Sequence, residues 1–468
     1  MYPALGSFQV KANLPPGKKE RIMPPIPLSN TKFNLNSSGV AGFFGGEEAV
    51  SAMGTVHFYR GQKWLGWYNS PGSYHVAKQY GKLANNRFWD GLFPGKDVDP
   101  AEFFELNGQK GPEFISWGSG THLMTTGHIA QIFASAISKV KEIPIEPKTD
   151  LGERKRVSYM SIVDLGDVQE FTPNSLQRTS FPVACATMLL NIIPCAACGV
   201  FGDWYCFSMI VLGIIANAFS CYVIGSGKLQ FHKPKPSLNS PRGDGILKHG
   251  SEVIILRGKE SPVAAVTSGN FTLTYPGGNE RTIIGLCSLF QYAQFLAQLL
   301  LIPQGKLFGQ VMFLTTFAVS WVYNCYLSSK DKEKLQHELI MNILDKPKIR
   351  RYKCQTRTTM VVLALLALDP PKPNEFLKEL LPSGTPTWDT WRENVLERFI
   401  SERESDSSVL DSETPSTTDA VAPAPATIPT SDKLLTDLLG DVETAYQGYE
   451  KHAADLRNPQ TSTAEPKA

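Results

Sequence analysis

The sequence predicts an α-helical membrane protein with four transmembrane helices arranged as two hairpins, and three observations carry that prediction. The stretches Phe181 to Phe201, Trp204 to Ile224, Ile283 to Ile302 and Leu307 to Leu327 are apolar, and none contains Asp, Glu, Lys, Arg or His. At ~1.5 Å rise per residue, about 20 residues cross a hydrocarbon layer of roughly 30 Å. The four come as two pairs, closed by the short tips Gly202-Asp203 and Pro303-Gln304-Gly305-Lys306, with a polar insert between the pairs.

Charge sets the expected orientation. The tips hold one Lys and no Arg, whereas Lys228, Lys233, Lys235, Arg242 and Arg281 lie in or beside the insert, and Lys330, Lys332 and Lys334 follow the last stretch. By the positive-inside rule the insert and both termini are cytosolic. The Pro- and Lys-rich start has no apolar core for a cleavable signal, so the first spanning helix is expected to direct insertion. Seven of the eight cysteines fall inside the apolar stretches and the eighth is Cys354, which leaves no extracellular disulfide framework. Cys195 and Cys198 have C-x-x-C spacing, but among Ile192, Ile193, Pro194 and Val200 they read first as small packing residues, with acylation or a metal site as the alternative.

The rest of the chain divides by composition. Residues 1–39 read as a disordered basic arm and 40–180 as an N-terminal cytosolic α+β region. The latter has a strand pair near 55–59 and 64–68 and a helix near 125–140 with Ile129, Ile132, Phe133 and Ile137 on one face. Hairpins at 181–224 and 283–327 flank a cytosolic β-rich insert, 225–282, with strands expected at 228–231, 252–256, 263–266 and 271–275. Residues 328–400 form a cytosolic helical region: an amphipathic helix over 331–346, and an apolar run, Met360 to Leu368, too short to span, which is a buried helix or one lying at the interface. The tail, 401–468, is acidic, Ser/Thr/Pro-rich and expected to be disordered. Within it a short amphipathic helix near 431–449 is the candidate contact for a cytosolic protein partner.

Candidate site residues are of two kinds. Gln291, Gln294 and Gln298 share one helical stripe, and Gln310, Asn191, Asn217 and Asn324 are further polar residues within the spans. Cross-hairpin pairs are expected between Gln298 and Gln310, between Gln291 and Thr316 or Ser320, and between Thr187 and Asn217. Such amides either hold helices together or line a polar path. Without intramembrane charge, a proton pump or voltage sensor is disfavoured. Lys346, Lys348, Arg350, Arg351, Lys353 and Arg357 suit anionic lipid headgroups, or else make a solvated basic helix face. Trp117-Gly118-Ser119-Gly120 fails the G-x-S-x-G pattern, His122 and His128 lack zincin spacing, and no phosphate-binding Gly-rich loop occurs, so no catalytic motif supports an enzyme. No cofactor, metal or nucleic acid is implied; the partners are the lipid bilayer, a cytosolic protein and a second copy of the chain.

The stretch Val163 to Pro173, with Gln294-Phe295-Leu296-Ala297-Gln298, Phe308-Gly309-Gln310 and Asp331-Lys332-Glu333-Lys334, resembles uncharacterised multi-pass membrane proteins of mushroom-forming fungi. The resemblance covers at most residues 160–335. It implies a fungal membrane protein and transfers no site residue. The function expected first is a membrane-anchored scaffold or adaptor, and second a small-solute transporter or channel subunit using the Gln stripe.

Overall fold

The computed structural model describes residues 26–28, 40–59, 61–84, 91, 98–145, 157–169, 181–235, 239–275, 280–410 and 433–456. The expected basic arm, apart from 26–28, and tail segments 411–432 and 457–468 lie outside the described residues.

After a single helical turn at Val40–Phe43 come two short helices, α1 (Gly46–Val56) and α2 (Ser73–Leu83), each entered through a left-handed glycine, Gly45 and Gly72. Strands β1 (Glu113–Ile115) and β2 (His122–Leu123), helix α3 (His128–Ile137) and strands β3 (Glu142–Pro144) and β4 (Ser158–Asp164) follow. Helices α4 (Phe181–Val200) and α5 (Trp204–Ile224) lead into β5 (Lys228–His232), β6 (Gly245–His249), β7 (Glu252–Arg257), α6 (Glu260–Thr267) and β8 (Asn270–Thr274). Then come α7 (Glu280–Leu301), α8 (Leu307–Ser328), α9 (Lys332–Ile343), β9 (Lys348–Cys354), α10 (Arg357–Leu368), α11 (Pro373–Leu380), α12 (Pro386–Leu410) and α13 (Lys433–Lys451). Side-chain oxygens cap several of these where the sequence offers them: Asp203 accepts from the Cys206 N–H, Asp331 from Lys334 and Thr356 from Thr359.

Helices α4, α5, α7 and α8 are long and apolar enough to cross a membrane. Their outward faces carry Leu189, Ile193, Leu300 and Val322, each 60% or more exposed, while glutamine and asparagine point inward. That is the reverse of a water-soluble bundle and marks a surface made for lipid. Helix α5 packs on α7 and on α4, and α8 packs on α4 and α5. Between α7 and α8 stand the two short helices, α2 against α7 and α1 against α8.

The strands assemble differently from the expected small, separate β unit. Strands from residues 113–164, 245–257 and 348–354 form one seven-stranded mixed sheet in the order β2-β1-β6-β7-β4-β9-β3, with β4 parallel to β7 and β3 parallel to β9. All six residues of β7 are buried, as a central strand covered on both faces requires. Helices α3, α6 and α9 cover one face, placing Ile129, Phe133 and Leu339 in one core with Val163, Ile254 and Leu256. Helix α10 covers the other with α11, α12 and α13, placing Leu363, Phe376, Trp391 and Val442 with Met160, Ile162 and Ile255. A separate ladder, β5 with β8, joins this domain to the ends of α5 and α7.

Several local expectations change. Residues 55–59 and 64–68 are not a strand pair: α1 runs to Val56, and a 3-10 turn occupies Gln62–Trp64. The apolar 263–266 segment lies in helix α6, where Glu260 occupies the first turn and favours the helix N-terminus. The apolar 360–368 run lies in α10, buried in the sheet domain rather than at an interface. Ser401 to Leu410 continue α12. The 431–449 helix forms, as α13, but its apolar face is taken by its own chain. Leu435, Leu438, Val442 and Tyr446 pack in the α10 core, the Trp391 Nε1–H donates to the Leu438 carbonyl at 3.2 Å, and Thr358 donates to Asp441.

Two buried histidines make stability depend on pH. His57 is held neutral, its pKa lowered to about 4 by burial, with its ring 5.3 Å from Phe104 and Nδ1 3.3 Å from the Gly227 carbonyl. His128, between α3 and α9 with Nε2 2.8 Å from Gln336 Oε1, is also lowered by burial. Both pKa values lie below those of the unfolded chain, so the unfolded state takes up protons first as pH falls. Stability is therefore expected to be flat above about pH 6.5 and to decline below it, the His57 share of the decline ending near pH 4, by at most about 1.4 kcal/mol per pH unit for each histidine. Thermal melts of the detergent-solubilised protein from about pH 7.5, one unit above the ordinary histidine pKa, down to about pH 5, on its acid side, check this. His57→Phe should flatten the dependence, and an unchanged slope would contradict the assignment.

Candidate functional site, a polar centre inside the helix bundle

The chain from Trp64 to Tyr74 carries no charged residue, and its central part inserts among the four long helices. The backbone N–H of Asn69 donates to Asn191 Oδ1 (3.1 Å), its Nδ2 donates to Thr316 Oγ1 (2.9 Å), and its Oδ1 lies against Gly213. Asn191, Gly213 and Thr316 stand on α4, α5 and α8, each roughly 15–18 Å along its helix from the end that carries the sheet domain, at ~1.5 Å per residue. Asn69 therefore sits near half-length of the bundle. A Cβ on Gly213 would lie 1.8 Å from Asn69 Oδ1, so the missing side chain is what admits the loop.

Further bonds fix the loop on its way in. Asn217 Nδ2 donates to the Gly66 carbonyl (2.8 Å), the Tyr68 hydroxyl to Asn324 Oδ1 (2.9 Å), Asn324 Nδ2 to Ser70 Oγ (3.1 Å) and Gln62 Nε2 to the Tyr323 hydroxyl (3.2 Å). A cavity of about 10 Å³ beside Gln62, Tyr68 and Tyr323 is at the lower limit for one water. The loop's exit, helix α2, is tied to α7 by Ser288 Oγ, which donates to the Ala77 carbonyl at 2.6 Å.

All seven polar residues singled out from the sequence are buried in this bundle, but the expected cross-hairpin pairs do not form. Gln291 Nε2 donates to the Ala216 carbonyl (3.2 Å) and Ser220 Oγ (2.7 Å). Gln298 Nε2 donates to the Met209 carbonyl (3.5 Å), and Gln310 Nε2 to the carbonyls of Ile302 (3.3 Å) and Gly305 (3.1 Å). Asn191 Nδ2 donates to Thr187 O, while its Oδ1 receives Asn69 and Ser320. Thus Asn191, Asn217 and Asn324 seat the inserted loop, and Gln291 braces α5.

The remaining polar atoms form the unusual part. Gln294, 1% exposed, has neither Oε1 nor Nε2 in a hydrogen bond, and Asn69 Oδ1, Gln298 Oε1 and Gln310 Oε1 are also buried without partners. Backbone carbonyls hold the Nε2 groups of Gln298 and Gln310, so those amides cannot be turned round: the atoms left over are oxygens. At the tips, buried Asp203 joins the two pairs of helices. Its Oδ1 accepts from the Cys206 N–H (3.3 Å) and its Oδ2 from the Lys306 N–H (2.8 Å), and both Gly305 and Gly309 leave it room. Cys195 and Cys198 pack with Cys206, Met209 and Phe313 in an apolar cluster nearby.

The basic set is dispersed. Residues 348–354 form a strand, not a helix face, and alternate sides of a sheet. Arg350 pairs with Asp164, Arg351 Nε with Glu252 Oε1 (3.0 Å) and Lys353 with Glu142 (2.9 Å), while Arg357 donates to the Leu380 carbonyl; Lys346 and Lys348 are exposed.

Sequence reasoning missed Asn69, Tyr68, Gly213 and Asp203. The one available signal was the charge-free, Gly- and aromatic-rich run from Trp64 to Tyr74, unusual in a segment expected to face water. No family model, no curated protein and no solved structure matches this chain.

Proposed function

We propose that the protein passes a small polar solute across a membrane through the centre of its four-helix bundle. In this reading the four helices span the bilayer as two hairpins, the sheet domain lies on the cytosolic side, and residues 61–72 dip from that side to the bilayer midplane. The observation that carries the reading is Gln294, an amide with both ends unpartnered, beside the unpartnered Asn69 Oδ1 at half depth. Backbone without helical hydrogen bonds is tolerated at that depth only where protein buries it or a polar path needs it, and an unpaired buried amide costs about 1–3 kcal/mol. A bundle serving only as an anchor has no use for either.

The scaffold alternative has less support. Helix α13 spends its apolar face on its own chain, and Met124, Ile400 and Leu434 are the large exposed apolar residues among the described part of the sheet domain, scattered singly. Scattered single residues do not make a docking surface.

The full-length protein in liposomes should accelerate the entry of at least one solute from a panel of water, urea, glycerol, glycine, Na⁺ and K⁺. Gln294→Leu should abolish that flux while the protein stays folded by thermal melting. If no solute of the panel moves faster than in empty liposomes, the reading fails. Protease added to vesicles with the cytosolic face outward should cut the sheet domain and spare the tips; protection of residues 239–275 would refute the orientation.

A further inference from the structure

Helices α1 and α2 are half-length members of the bundle whose N-termini point into it. Gly45 stands against Trp321 and Gly54 against Lys332, so α1 runs from inside the bundle toward the sheet domain alongside α8. Tyr74 stacks near Tyr292 and Phe295, while Ala77 meets Ser288, so α2 runs the same way, antiparallel to α7. The two starts touch: a Cβ on Gly72 would lie 2.3 Å from Gly46 Cα and 2.4 Å from its nitrogen.

Each helix start has backbone N–H groups without intrahelical acceptors and the positive end of a macrodipole, equivalent to about half a unit charge. Neither Gly45 nor Gly72 supplies a side-chain cap. Helix α1 has Glu47 and Glu48 in its first turn, with Glu47 exposed, whereas α2 has no acidic residue in its own first turn. Ser73, the first residue of α2, is 1% exposed, with an Oγ that has no partner. Asn69, three residues before Gly72 in the chain, carries an unpartnered Oδ1 that lies against Gly213 close to Gln294. Low local dielectric strengthens the field of such an end.

Resting on the solute-passage reading, we propose that the solute is uncharged and donates hydrogen bonds, and that the α2 start excludes cations. The column offers mainly unpartnered oxygens, Asn69 Oδ1, Gln294 Oε1, Gln298 Oε1 and Gln310 Oε1, which call for a donor. A metal cation would also satisfy oxygens, but it would have to pass the positive end of α2, the device by which half-helix dipoles reject cations and protons in pores.

Proteoliposomes holding the full-length protein test this. Stopped-flow light scattering reads water, urea and glycerol entry, and fluorescent dyes read K⁺ and H⁺. The expected result is at least a tenfold rise in one neutral solute with K⁺ and H⁺ at the level of empty liposomes. Ser73→Asp, which places a carboxylate on the α2 start, should raise K⁺ entry at least tenfold, and Ser73→Ala should leave K⁺ excluded. Wild-type K⁺ flux would overturn the solute class while leaving passage intact, whereas absence of every flux would overturn passage itself. If Ser73→Asp fails to fold, Gly72→Ala and the wild-type ion selectivity still decide: Gly72→Ala disrupts the contact of the two helix starts and should lose cation exclusion, and retained exclusion in a folded variant would count against the proposal.

Discussion

Gly213→Ala should eject the inserted loop from the bundle and abolish solute passage. The new methyl carbon would stand 1.8 Å from Asn69 Oδ1 and 2.7 Å from Asn69 Cγ, distances that no rotation on the α5 side can relieve. Asn69 would have to withdraw, breaking its bonds to Asn191 and Thr316 and leaving its own backbone N–H and amide without those partners, while Asn191 keeps Ser320 and Thr316 keeps the Phe313 carbonyl. Overpacking alone costs about 1–3 kcal/mol, and each unsatisfied buried group adds about 1–3 kcal/mol. Paired with Asn69→Ala, which removes the clashing atoms, the same substitution should recover part of the lost stability but none of the flux. Non-additive stability is the signature of direct contact. Melting temperatures that simply add, or a Gly213→Ala protein with full flux, would show that the loop does not sit where Asn69 places it.

Glu252→Gln should be the most damaging single change in the sheet domain. Glu252 is 4% exposed at the start of β7 and accepts from Ser161 Oγ (2.6 Å), Ser138 Oγ (2.7 Å) and both Nε (3.0 Å) and Nη2 (3.4 Å) of Arg351. The Arg351 guanidinium lies 4.1 Å from the Tyr159 ring centre, with 12% of its side chain exposed, so it has little water to turn to. Removing the charge from one side of a buried pair costs about 3–5 kcal/mol because the other charge is left unpaired. At roughly 2–4 °C per kcal/mol for a domain of this size, melting should fall by roughly 6–20 °C. Arg351→Met in the same chain should restore part of that loss. A single variant that melts with the wild type would mean that water, not Arg351, satisfies Glu252.

The parts of this fold that were legible in the sequence are those set by short windows. Four charge-free stretches show as four long helices because span length and the cost of buried charge act within some twenty residues. The 3.6-residue spacing of Ile129, Ile132, Phe133 and Ile137 likewise gives α3, and Leu435, Leu438 and Val442 give α13. What covers those faces was not legible. Val263 to Val266 reads as a strand by composition, and only its position between β7 and β8 makes it a crossover helix. The basic run at 346–357 looked like one surface until β9 paired with β4 and β3 and sent alternate side chains to opposite faces. The glutamine stripe was found, but its partners proved to be backbone carbonyls and the Ser220 hydroxyl of α5, while Asn191, Asn217 and Asn324 hold an inserted loop remote in sequence, which no periodicity encodes.

That remoteness sets an order of events during synthesis. Asn69 leaves the ribosome 247 residues ahead of Thr316, its partner on the last long helix. At ~5–20 residues per second, the loop waits about 12–50 s for its socket to exist. The sheet domain waits as well, since β4 lies between β7 and β9, made on either side of α7 and α8. The loop around Asn69, made early, is thus among the last segments to settle. A chain stopped before residue 307 would keep a charge-free, aromatic loop and an unfinished sheet open to chaperones and proteases.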